Sequence, residues 1–117
     1  MSVNPTYNPL NRRAIKFTED VGRFKFVGYD GKKTGDGELA AGVTEHSFNN
    51  GDDGSVITAG TALMMIKAQL TAGTLLKSDL AGDAIAAVQT GDFVLAVLPQ
   101  DVSANTLAEI ELAKFKL

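Results

Sequence analysis

Ile57-Thr58-Ala59-Gly60-Thr61-Ala62-Leu63 is answered thirteen residues on by Leu70-Thr71-Ala72-Gly73-Thr74-Leu75-Leu76. In both phrases an aliphatic residue leads into Thr-Ala-Gly-Thr, and apolar residues follow. Gly60 and Gly73 can take a positive φ at little cost. The β-branched Thr and the aliphatic residues behind it suit a pleated, half-buried surface. Each copy therefore reads as a turn that launches a strand. Two copies are too few and too close for a solenoid, which needs several stacked units. They read as paired loops of one small barrel, with Gly60 and Gly73 as its structural turns.

Strand and turn signals continue toward the C-terminus. Lys77 to Asp83 is a loop, and Ala84 to Val88 is an apolar run; the Ala-rich stretch Leu80 to Val88 also suits one short helix. Thr90-Gly91-Asp92 turns the chain into Phe93 to Leu98, a continuous apolar run of the kind a strand buried on both faces shows. The last segment, Leu107 to Leu117, reads LAEIELAKFKL. Its charged residues alternate with apolar ones, but the parity slips near Ala113, as one extra residue in a β-bulge would make it do. Leu, Ala, Glu and Lys suit a helix too; the alternation favours the strand.

Toward the N-terminus, Asn49 to Gly54 (NNGDDG) has the chemistry of an exposed loop. Glu38 to Phe48 has room for a short strand, and Lys32 to Gly37 is a connection. Arg23 to Tyr29 alternates so that Phe24 and Phe26 share one face and Arg23 and Lys25 the other, and Asp30-Gly31 follows as a tight turn. Regular structure is expected from Ala14. Residues 1–13, MSVNPTYNPLNRR, carry Pro5 and Pro9 in a polar context. Proline fixes φ and lacks a donor, so this stretch reads as an extended arm outside any sheet interior. It is either a loose tail or a segment that orders on a partner. The fold class is all-β, with room for one short helix. It comprises a small β-barrel or β-clip-like domain over 14–117 and an extended N-terminal arm over 1–13.

Composition narrows the function classes. The chain has 117 residues, 44% hydrophobic and 21% charged, which suits one globular domain. A net charge of −3 argues against nucleic-acid binding, which calls for a concentrated basic surface. No stretch approaches the roughly 20 apolar residues of a membrane span. There is no cysteine, so disulfides and thiolate metal sites are excluded.

Catalytic signatures are equally sparse. His46 is the one histidine, and no nucleophile elbow accompanies it. Gly28-Tyr29-Asp30-Gly31-Lys32-Lys33-Thr34 falls short of a phosphate loop: only two residues separate its glycines, and Lys33 precedes Thr34. Asn49 to Gly54 has a calcium-loop flavour, but the third and twelfth positions from Asn49 are Gly51 and Gly60, where an EF-hand needs oxygen ligands. The carboxylates are dispersed, and no pair stands out as acid and base. The expectation is a non-enzyme with no cofactor and no metal.

From Ser55 to Leu117 the chain resembles the head decoration, or cement, proteins of tailed bacteriophages. The resemblance is carried by the two Thr-Ala-Gly-Thr phrases, Lys77-Ser78-Asp79, the Ala84–Val88 and Gly91–Leu98 strands, Ser103-Ala104 and the closing Glu109-Ile110-Glu111-Leu112. Residues 1–54 carry no matching motif. The resemblance implies a homotrimer over local threefold positions of a capsid shell. Made in the host cytoplasm, it would sit on the outer surface of the virion and clamp adjacent copies of the major capsid protein. The capsid-contact candidates are then Pro5, Tyr7, Pro9, Leu10, Arg12 and Arg13 of the arm, with Tyr7 and Leu10 as apolar anchors. The same residues also resemble the small antifreeze-like (SAF) β-clip modules, which would imply an accessory or carbohydrate-binding role.

Overall fold

The structure, a computed structural model, describes residues 7–117. Eight strands follow in chain order: β1 Pro9–Lys16, β2 Phe26–Val27, β3 Gly42–Thr44, β4 Asp53–Ile66, β5 Leu75–Ser78, β6 Ala84–Ala86, β7 Phe93–Val97 and β8 Thr106–Lys116. No described residue is helical. The helical options over 80–88 and 107–117 give way to β6 and β8. The sheet order is β2-β3-β4-β6-β5-β7-β8, and β4 also pairs with β8. The last five strands in this order thus form a closed ring of neighbours. All the pairings are antiparallel except the single β4–β6 bridge at Ile66 and Ala84.

β4 explains both halves of the architecture. Its first half pairs with β1 on one side and β3 on the other, up to Gly60 opposite Pro9. Its second half, from Thr61 opposite Glu111, pairs with β8. Gly60 is the crossing point between the two sheet regions. Its φ of 89° lies in the left-handed region. A Cβ there would stand 2.4 Å from the Asn8 carbonyl oxygen and 2.7 Å from the Leu10 nitrogen. Only glycine lets β1 approach this closely while the strand swings from one sheet region to the other.

The two Thr-Ala-Gly-Thr copies therefore share a conformation but not a role. Gly73 has a φ of 86°, and the Thr74 amide bonds back to the Thr71 carbonyl at 3.2 Å before β5 begins. This copy is a turn that launches a strand. The first copy corrects the sequence reading: it lies inside a continuous 14-residue strand. The β8 bulge is where the parity slip indicates. Ala96 faces Leu112 and Val94 faces Phe115, so β8 spends three residues where β7 spends two. The Asp30-Gly31 turn also forms, with the Gly31 amide on the Gly28 carbonyl.

Two boundaries move. The strand expected over 23–29 shrinks to Phe26–Val27, because Phe24 takes a φ of 60° and breaks the alternation. Buried Thr44 holds this bend: its Oγ accepts from the Lys25 amide at 3.0 Å and donates to the Gly22 carbonyl at 2.8 Å. Phe26 and Val27 are then both buried, in different clusters. At the N-terminus the sheet begins at Pro9 instead of Ala14, so residues 9–13 are strand, not arm. Among the described residues β1 has a neighbour on one side only, so it is an edge on which the missing Pro9 donor is tolerated. The Asn49–Gly54 loop likewise closes by Asp52, and Asp53 and Gly54 already belong to β4.

The larger apolar cluster fills the ring, with Met64, Ile66, Leu76, Leu95, Leu98 and Ile110 at its heart. Three consecutive residues of β7, Val94 to Ala96, are buried, as the unbroken apolar run requires. The smaller cluster lies under β1 and β4, where the rings of Phe17 and Phe48 stack 4.4 Å apart beside Ile15, Val21 and Val56.

Candidate functional site

Of the candidate contact residues, Pro9, Leu10, Arg12 and Arg13 lie on β1, Tyr7 just precedes it, and Pro5 is outside the described residues. Alternation along the strand sends neighbouring side chains to opposite faces. Arg12 turns to the face of Glu45, which follows β3. Its Nε and Nη2 donate to the two Glu45 carboxylate oxygens at 2.8 and 3.2 Å. The Tyr7 hydroxyl donates to the same carboxylate at 2.8 Å, and Arg23 Nε donates to the Glu45 carbonyl at 3.2 Å. Chiefly through the Arg12 bond, and with help from Tyr7, the Glu45 carboxyl is held below its ordinary value despite partial burial. The same bond, from the other side, raises the Tyr7 hydroxyl.

Arg13 leaves by the other face, and its guanidinium lies 5.4 Å from the centre of the Tyr29 ring. Lys114 shares that ring at 5.4 Å, and also donates to the Tyr29 hydroxyl at 3.2 Å and to the Ala41 carbonyl at 2.9 Å. Leu10 is the odd residue of a β1 bulge between Pro9 and Asn11, and is 72% exposed. The structure thus brings Tyr7 and Arg12 together on Glu45, parts Arg13 from them, and leaves Leu10 projecting. Glu45, Tyr29 and Lys114 escaped the sequence reading. Their partners stand 16 to 85 residues away along the chain, and no local spacing announces such pairs.

Two ion triads, each centred on one buried residue, fix the loops around the ring. Lys77 of β5 sits between Asp36 at 2.8 Å and Asp92 at 3.0 Å, which raise its pKa. Asp83 meets Lys25 at 2.6 Å and Lys67 at 2.8 Å. Burial alone would raise the Asp83 carboxyl, but the two ammonium groups outweigh it and hold the value down. Each triad joins three separate segments. An apolar cleft between Phe26, Val43, Thr58, Leu95, Leu112 and Lys114 has a volume of about 10 Å³, room for one water-sized sphere. His46 is exposed. Among the described residues no three His, Cys, Asp or Glu side chains cluster as metal ligands.

No protein-family model and no curated protein matches the chain. Among solved structures it is similar to the N base of head fiber gp8.5 of bacteriophage phi29. The TM-score is 0.72 at 12% sequence identity, over 92% of this chain and 97% of that one. The two share a fold almost end to end.

Proposed function

We propose that this protein is a structural, non-catalytic component of a phage head: a decoration or cement protein that binds the outer surface of the assembled shell. The observation that carries the reading is the fold shared with a head fiber base over nearly the whole of both chains. The sequence resemblance to decoration proteins, which covers residues 55–117, points the same way. The partner is the major capsid protein, gripped at local threefold positions by a homotrimer. A ligand that binds only the assembled shell stabilises it by mass action, and three linked copies gain avidity by touching several coat subunits.

The β1 edge is the proposed gripping surface. Its outer side has backbone donors and acceptors free to extend a coat-protein sheet, with Tyr7 and Leu10 as apolar anchors beside it. Co-sedimentation with expanded, DNA-free heads tests the reading. The protein should pellet with the heads at a saturating ratio and raise their melting temperature. A protein that stays in the supernatant at every head concentration overturns it.

A further inference from the structure

β8 carries its charge in two halves. Glu109 and Glu111 precede the bulge, Lys114 lies within it, and Lys116 follows it. Positions 111 and 116 are an odd number of residues apart, so an unbroken strand would point them to opposite faces. The bulge reverses that parity. Glu111 stands opposite Val97 and Lys116 opposite Phe93, two β7 residues of the same parity. Acid and base thus share one face of the sheet. They are separated by roughly 16 Å of strand at about 3.3 Å per residue, too far to neutralise each other.

The basic half is held in place but not neutralised. Lys116 Nζ lies 5.6 Å from the Phe93 ring centre, and Lys114 and Arg13 share Tyr29. Among the described residues none of these three cations has a carboxylate partner, whereas Arg12, Lys25, Lys67 and Lys77 each have one. Asp30 stands in the Tyr29 turn, but its carboxylate accepts from the Lys32 amide at 3.1 Å. In the acidic half, Glu109 accepts from the Thr61 hydroxyl, and exposed Glu111 has no cation.

We infer that the outer face of β8 is a contact between copies of this chain, in which Glu109 and Glu111 of one copy meet Lys116 of the next. The acidic half can engage the copy on one side and the basic half the copy on the other, and such a head-to-tail pairing is the kind that closes into a ring. The inference rests on the trimer of the proposed function and identifies the surface that closes it.

Sedimentation equilibrium of the full chain tests this, with head binding measured in parallel. The wild type should be a trimer that weakens as salt rises. Lys116→Glu sets acid against acid and should raise the dissociation constant about fivefold, the worth of one or two exposed pairs. Glu109→Lys with Glu111→Lys should do the same, and combining the three changes should restore the trimer. Circular dichroism checks folding; if losing the Thr61–Glu109 bond harms it, Glu111→Lys with Lys116→Glu serves as the swap. A trimer indifferent to Lys116→Glu overturns this contact and leaves the head-binding reading standing. A wild type that is monomeric at every concentration also overturns the contact, and the parallel head binding then decides the proposed function separately.

Discussion

Gly60 and Gly73 are one residue type in one phrase with nearly one φ, yet their surroundings differ. A Cβ at Gly60 runs into the backbone of Asn8 and Leu10, whereas one at Gly73 meets nothing within 4 Å. Gly73→Ala should therefore cost only the left-handed strain of an L-residue, about 1 kcal/mol. Gly60→Ala adds a backbone clash that no side-chain motion relieves, and should cost about 2–3 kcal/mol. Urea unfolding of both variants reads the difference; equal losses would mean that β1 does not press on Gly60. The positive φ was legible in the sequence, because a glycine inside a Thr- and aliphatic-rich phrase signals it locally. Whether the chain turns or runs straight on was not, because that depends on β1 and β8 arriving from about 50 residues away in either direction.

Among the elements, β8 was the most legible and β1 the least. The charge alternation of β8 carries its own register, and the slip at Ala113 marks the bulge. β1 reads as polar and proline-bearing because it is an exposed edge, and only its pairing with β4 and the Glu45 tie make it a strand. Glu45 receives both Arg12 and Tyr7, so Glu45→Ala should free the start of β1 without unfolding the rest. Trypsin should then cut after Arg12 and Arg13 roughly fivefold faster, as loss of an exposed ion pair with its hydrogen bonds warrants, while the melting curve of the core barely moves. An unchanged cleavage rate would show that the β1–β4 ladder alone holds the segment. Deleting residues 1–13 is a different experiment from trimming a tail. It removes five strand residues and opens the β4 edge over Val56 to Gly60. That variant should aggregate at concentrations where a deletion of 1–6 stays clear by light scattering.

At the scale of the whole molecule, stability should depend on pH through the groups that tie its segments together. Asp83 and Glu45 have folded values below their ordinary ones. Their contribution is complete above the unfolded values of about 4 and is lost as pH falls through the lower folded values. Lys77 has a raised value. Its contribution is complete below the unfolded value of about 10.4 and is lost as pH rises through the higher folded one. The urea midpoint should therefore be flat from about pH 5 to about pH 9, fall steeply below about pH 4, and fall again only in strong alkali. The acid limb belongs chiefly to Asp83, the more buried carboxylate, placed between Lys25 before β2 and Lys67 after β4. Asp83→Asn should lower the plateau, since it leaves two ammonium groups without their carboxylate, and should flatten the acid limb. Retention of the full acid slope in that variant would move its origin to Glu45, where Glu45→Gln offers the same comparison at the β1 edge.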